Sequence, residues 1–261
     1  MTHTETTHDN WDQHWQDYTE AAEQNPAQRY RRQVISNLLR RFGCSDSARV
    51  LDIGSGLGDL AVDLRRTFVA AEIAGIELSA TGVEVASRKL PDARFFQCDL
   101  LDASVEPGPL RAWARFAVCS EVLEHLDQPG ALLKKASEYL APGCVLVVTV
   151  PGGPQSKFDH HIGHRQHFTP ASLRTLLEES GFQVEFARGA GFPFFNVYRM
   201  AVIARGHRLI TDVQSRPAGG QSFTVRVAMG IFRLLFALNL ANSPWGWQTV
   251  AVARLRAKGT L

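Results

Sequence analysis

The chain has 261 residues, 45% of them apolar and 21% charged, the balance of a soluble protein that buries a real core rather than of a disordered chain. That length fits one large domain, or one domain with a substantial insertion. The net charge of +2 conceals an asymmetry: residues 1–186 carry 18 Lys/Arg against 25 Asp/Glu, a net of −7, whereas residues 187–261 carry 10 against the single acid Asp212, a net of +9.

Four cysteines, Cys44, Cys98, Cys119 and Cys144, show no CxxC spacing, and Cys98, Cys119 and Cys144, in or beside apolar runs, read as small core residues, as sparse cysteines do in intracellular enzymes. The polar start MTHTETTHDNWDQHW lacks an apolar signal region, so a cytoplasmic protein is expected.

In chain order, residues 1–46 read as helical cover, with Trp11, Trp15 and Tyr18 spaced at four and three and a second segment from Ala27 to Arg41 stopped by Gly43. A regular alternation follows. Apolar runs at 48–53, 71–77, 93–99, 115–120 and 143–150 predict strands, and the patterns at 57–67, 79–89 and 129–140 predict helices. Short apolar runs between helical patterns argue for βαβ units and a parallel sheet buried on both faces. After Pro151 comes a polar loop rich in Gly and His. Thr169-Pro170 then opens a helix as N-cap and first-turn proline, Gly181 ends it, and 182–188 is a sixth strand. A seventh, 247–255, arrives only after an intervening stretch of about 58 residues. The expected division is a 1–46 cover, a 47–188 core, a 189–246 basic apolar insertion, and 247–261 as last strand and tail.

The sharpest motif is Asp52-Ile-Gly54-Ser55-Gly56-Leu-Gly58-Asp59, straight after a strand and before a helix. Glycines permit the tight turn and close approach of backbone to a ligand. A dinucleotide fingerprint places its glycines at relative positions 1, 3 and 6, but position 6 here is Asp59, which would repel a pyrophosphate. Glu77 ends the second strand, where an acid can accept both hydroxyls of a ribose. Cys98-Asp99-Leu100 follows the third strand, and Ser120-Glu121 closes the fourth. All four groups fall at carboxyl ends of parallel strands, where open α/β sheets bind ligands.

With LDIGSGLG, GIEL, FFQCDL, CSEVLEHL and LAPGCVLVVTVP in this order and spacing, residues 48–188 plus the final strand resemble the class I S-adenosylmethionine (SAM)-dependent methyltransferases, of the small-molecule type related to ubiquinone-pathway O-methyltransferases. The resemblance implies an α/β fold: a Rossmann-like, doubly wound, seven-stranded sheet, mostly parallel with an antiparallel last strand, and a helical insertion before it. It implies SAM as cofactor, with Gly54, Ser55, Gly56 and Gly58 lining the methionine portion beside Asp52. Glu77 and Leu78 would hold the ribose, Cys98, Asp99 and Leu100 the adenine, and Ser120 and Glu121 would close the pocket. The Asn/Asp-Pro-Pro-Tyr signature of amino-methylating nucleic-acid and protein enzymes is absent, so no nucleic acid is expected as partner.

In the loop Asp159-His160-His161-Ile-Gly-His164-Arg-Gln-His167, a histidine near its ordinary pKa suits removal of a hydroxyl proton, and His164 and His167 are the candidate general bases. Histidines that merely bond the loop, or a metal site, are the other readings. With no cysteine nearby and Asp159 the lone carboxylate of the loop, no metal ligand is assigned. His125 is read mostly as packing beneath the cofactor.

In the insertion, Arg226, Gly230, Arg233 and Ala237 make one stripe of the apolar run 223–241, and two arginines there argue against a spanning helix. A lid, a homodimer interface and peripheral contact with an anionic membrane stay open. The function expected is methyl transfer to a small-molecule or lipid-linked acceptor, at a hydroxyl or carboxyl oxygen. A nucleotide-dependent oxidoreductase on a related sheet and a non-catalytic scaffold or membrane-docking subunit are the alternatives.

Overall fold

Seven strands form one sheet in the order β3-β2-β1-β4-β5-β7-β6. They are β1 (Arg49–Ile53), β2 (Glu72–Glu77), β3 (Arg94–Gln97), β4 (Ala114–Ser120), β5 (Leu140–Pro151), β6 (Phe182–Ala190) and β7 (Gln248–Leu255). The computed structural model describes Trp11, Asp12, Trp15 and residues 25–102, 104–214 and 223–257, with backbone alone over 206–214 and 223–224. Tyr18, one of the three aromatic residues expected to cover the cofactor, lies outside the described residues.

Strands β1 to β5 pair in parallel, and β7 runs antiparallel between β5 and β6. The chain steps outward from β1 to β3, then returns to the far side of β1 as β4. This reversal makes a switch point, and beside it the carboxyl ends of β1 and β4 diverge into a crevice.

Side chains alternate across the sheet with period two. Leu51, Ile53, Ala117, Cys119, Leu146 and Val148 enter one core, while Val50, Val118, Val145 and Val147 enter the other. The first core packs under helices α4 (Pro129–Ala136) and α6 (Pro170–Glu179). The second packs under α1 (Pro26–Arg41) and α2 (Asp59–Thr67), with α3 (Ala80–Lys89) flanking β2 and β3. Leu133, Leu146, Leu173 and Leu64 are fully buried, each worth about 1.5–3 kcal/mol.

Thr169 caps α6 as anticipated, in a reciprocal box with Ser172, and Gly181 follows at φ 95°. Two boundaries differ from expectation. The helix expected over 129–140 ends at Ala136; a 3-10 turn spans Ser137–Tyr139, and β5 begins at Leu140, whose backbone the sheet takes up opposite Ala114. The polar loop contains a short helix α5 (Lys157–His161) that carries no apolar periodicity. It is set by the Ser156–Asp159 capping box.

The stretch 189–246 folds into α7 (Phe194–Gln214) and α8 (Phe223–Leu235) with a 3-10 turn at Phe236–Leu238. Phe195, Tyr198 and Phe236 pack on Tyr30 and Ala27 of α1. The Tyr198 hydroxyl donates to Asn25 Oδ1 at 3.1 Å, the same atom that caps α1. Among the described residues no helix is long and apolar enough to cross a membrane.

Candidate active site

A cavity of about 960 Å³ opens over the β1/β4 switch point. Its floor is the glycine turn. Gly54 and Gly56 adopt φ of 72° and 52°, and the Gly54 and Ser55 amides donate to Ile76 O at 2.8 and 3.1 Å, tying the turn to β2. The Gly56 amide donates to Glu77 Oε2 at 2.8 Å and the Ser79 amide to Oε1 at 3.0 Å. The turn and the acid at the β2 tip are therefore one hydrogen-bonded unit. Burial pushes the Glu77 carboxyl up, with these amides opposing it. Asp52, 2% exposed, is pushed up to about 7, first by burial and then by the charge of Glu77.

Asp52, Gly54, Ser55, Gly56, Glu77, Leu78, Cys98, Asp99, Leu100, Ser120 and Glu121 all line this cavity. Gly58 does not. Its φ is 76°, and an added Cβ would stand 2.8 Å from Ala86 Cβ, so its smallness serves the packing of α2 against α3. Asp52 Oδ2 and Ser55 Oγ are buried without a hydrogen-bond partner. Such orphans on a cavity floor fit a ligand that brings donors and positive charge, as the ammonium and sulfonium of SAM do. A Cβ on Gly56 would stand 2.9 Å from the Trp15 ring, and Asp12 Oδ1 accepts from the Thr81 amide at 3.0 Å. Residues of the N-terminal segment thus reach the glycine turn and the start of α3.

The other end of the cavity is polar and histidine-rich. Glu121, with φ 56°, receives Gln248 Nε2 at 2.9 Å and pairs with Arg31 at 3.4 Å. Beyond it, Glu124 is fully buried, and neither carboxylate oxygen has a hydrogen-bond partner. Burial, then the charge of Glu121, raises its carboxyl far above the usual range. The His125 and His164 rings meet edge-on at 4.8 Å, and Trp11 meets His125 at 4.7 Å.

The hydrogen bonds of the loop fix its tautomers. His167 Nδ1 lies 3.0 Å from Gly153 O and must donate to it. Neutral His167 then accepts at Nε2 from His164 Nδ1, 3.2 Å away. His164 is left with a lone pair on Nε2. Burial drives its pKa down to about 3, with His125 adding to the effect, and burial lowers His167 as well, so both rings are neutral. His164 lines the cavity; His167 stands behind it.

Asp159, also fully buried, accepts both Arg199 amino groups, at 3.1 and 2.9 Å, and the Ser156 amide and hydroxyl, each at 2.7 Å. Burial works to raise its carboxyl, but Arg199 and Ser156 together hold it below the ordinary value. Arg31, Arg199 and Gln248 carried no site signal in the sequence, whereas Glu124 and Asp159 stood inside quoted motifs without a role of their own. The five converge from α1, α7, β7, α5 and the 3-10 turn Leu123–His125.

A family model described as a methyltransferase domain matches residues 27–186. The chain is 32% identical over 121 residues to trans-aconitate 2-methyltransferase of Methylobacterium nodulans, covering 46% of this chain and 45% of that protein. It is 27% identical over 174 residues to ubiquinone biosynthesis O-methyltransferase of Xanthomonas axonopodis pv. citri, covering 59% and 71%. The chain thus spans about half the length of the trans-aconitate relatives it matches. Among solved structures, the Burkholderia thailandensis 1,6-didemethyltoxoflavin-N1-methyltransferase with bound 1,6-didemethyltoxoflavin and S-adenosylhomocysteine superposes with a TM-score of 0.51 at 16% identity, over 85% of this chain and 76% of that one. At that identity the likeness concerns the fold alone.

Proposed function

Because the chain belongs to the class I SAM-dependent methyltransferases, we propose that it methylates an oxygen, a hydroxyl or a carboxyl, of a small-molecule or lipid-linked acceptor. The observation that carries this reading is the single cavity, with the glycine turn, Glu77 and Asp99 at one end and a neutral, tautomer-fixed histidine at the other. Bound SAM supplies a methyl group already activated on a sulfonium. What remains for the protein is to hold two partners in line and to take a proton from the acceptor.

Glu77 receives the ribose hydroxyls, Asp99 the adenine amino group, and the turn from Asp52 to Gly56 the amino-acid end. His164 takes the acceptor's proton at Nε2, and His167 sets its tautomer. Residues 47–188 hold the cofactor, the 1–46 segment covers it, and 189–246 furnishes the acceptor's side through Phe195, Tyr198, Arg199 and Met229. The names of the relatives, a trans-aconitate and a ubiquinone-pathway O-methyltransferase, favour oxygen over nitrogen.

The insertion also suits an acceptor met at a membrane. Among the described residues, most of the exposed large apolar side chains fall here: Val197, Met200, Val227, Ile231, Leu234, Leu238, Leu240 and Trp245. Arg226 and Arg233 are exposed on the same helix, and Asp212 is the only acid after residue 186. An apolar face edged by arginines matches an anionic lipid surface, and a second copy of the chain is the other occupant to test.

The test is incubation of the protein and methyl-labelled SAM with a host extract, followed by separation of lipid from aqueous products. Alkali-stable or alkali-labile label on an oxygen supports the reading, and label on nitrogen, or on nothing, overturns it.

A further inference from the structure

We propose that Glu124 and Gln248 form a binding site for a protonated amine carried by the acceptor, at the end of the cavity away from the glycine turn. Both side chains line the cavity and both lie beside Glu121, which Gln248 bonds and whose charge bears on Glu124. Glu124 is fully buried, and neither of its carboxyl oxygens has a hydrogen-bond partner. His125 Nε2 stands 4.0 Å from Oε1, too far for a hydrogen bond. Arg31 pairs with Glu121 and Arg199 with Asp159, so an ionised Glu124 is one positive charge short.

Gln248 supplies an independent observation. It is buried, and its Nε2 donates to Glu121 Oε1 and to Val150 O, each at 2.9 Å. Both partners are acceptors, so the amide cannot turn over, and its Oε1 is left buried without a donor. Buried acceptors without donors are costly, and a carboxylate needs a positive charge as well. A hydroxyl brings one donor and no charge, whereas an ammonium brings three donors and the charge. An anionic group would be repelled by Glu121 and would leave all three oxygens without donors.

The inference rests on the proposed methyl transfer and deepens it. It names the acceptor as an amino alcohol or an amino acid with apolar bulk, for which Phe195, Tyr198 and Met229 provide the lining. In the ligand-free chain burial, then the charge of Glu121, hold Glu124 in its protonated form. An amine enters as the ammonium, since its ordinary pKa is about 10. Pairing then ionises Glu124, and its proton leaves to solvent, so each amine bound releases a proton. The held ammonium has no lone pair and cannot attack the sulfonium methyl. The oxygen is left as the nucleophile, with His164 as its base.

The experiment is calorimetric titration of hexylamine, hexan-1-ol and hexanoate into the full chain saturated with S-adenosylhomocysteine, whose own binding is measured first. Saturation keeps the amine from the Asp52 end. The wild type is expected to bind hexylamine at least about 10-fold tighter than the other two. Titrations in two buffers of different ionisation enthalpy should show about one proton released per amine. Glu124→Gln, which mimics the neutral carboxyl, should lose both the preference and the proton release, and Gln248→Leu should weaken hexylamine about 10-fold. Circular dichroism verifies folding. Should Glu124→Gln fail to fold, Gln248→Leu carries the comparison. Hexylamine bound no tighter than hexan-1-ol, or bound as tightly by the folded variants, overturns the ammonium site. If S-adenosylhomocysteine still binds in that case, the methyltransferase reading stands without it; if it too fails to bind, the pocket reading falls as well.

Discussion

Replacing Asp52 by asparagine keeps the side chain's shape and removes its charge, which makes it a probe of the cavity floor. In the folded chain burial and Glu77 push this carboxyl up to about 7, against about 3.9 in an unfolded chain. The folded state therefore holds the proton more tightly. The stability it contributes is fully present below about pH 4 and is lost as pH rises through about 7. A difference of about 3 units corresponds to at most about 4 kcal/mol, and water in the open cavity reduces it to about 2–4. Urea unfolding of the ligand-free protein at pH 4.5, 6 and 8 reads this out. Asp52→Asn should match the wild type near pH 4.5 and exceed it by about 2–4 kcal/mol at pH 8. The variant should also lose preference for SAM over S-adenosylhomocysteine, because an ionised Asp52 favours the cationic sulfonium. Equal pH slopes for the two proteins would refute the reasoning.

Glu77→Gln turns an amide donor toward the Gly56 or Ser79 amide at a cost of about 1–3 kcal/mol, so calorimetry should find S-adenosylhomocysteine about 10–100-fold weaker. Gly54→Ala puts a Cβ 2.4 Å from Val122 Cγ2 at a φ of 72°. The backbone costs about 1–2 kcal/mol and the overlap about 1–3, and Val122→Ala in the same chain should return the overlap part in urea unfolding. Arg199→Met strands the buried Asp159 carboxylate and should destabilise by about 3–5 kcal/mol, most of it regained with Asp159→Asn alongside. Leu234→Glu, on the outer face of α8, should abolish sedimentation with phosphatidylglycerol vesicles and leave S-adenosylhomocysteine affinity unchanged. Loss of self-association instead would assign that face to a second copy.

Much of the core was legible because its signals are local. Val and Leu runs mark strands buried on two faces, Thr169-Pro170 and Gly181 bracket α6, and the spacing from Gly54 to Glu77 follows from one βαβ unit. Cys119 and Cys144 lie in the core as their apolar surroundings predicted. What escaped depends on contacts between distant segments. Gly58 looks like its neighbours in sequence, yet Ala86 on α3 decides its role. The short helix α5 depends on the Ser156–Asp159 box rather than on periodicity. Glu124 and His125 read as part of a β4-tip motif. Only the fold brings His164 beside them, and only α7 supplies Arg199 to Asp159. His167 had equal standing with His164 until the Gly153 carbonyl fixed which ring faces the cavity.

The central claim is that the glycine turn, Glu77 and Asp99 form one adenosine-and-methionine pocket. Calorimetry of the purified chain with S-adenosylhomocysteine tests it most directly. One molecule bound per chain, with NAD giving no heat, is the predicted outcome. A folded protein that takes up neither S-adenosylhomocysteine nor SAM, or one that prefers NAD, would contradict it.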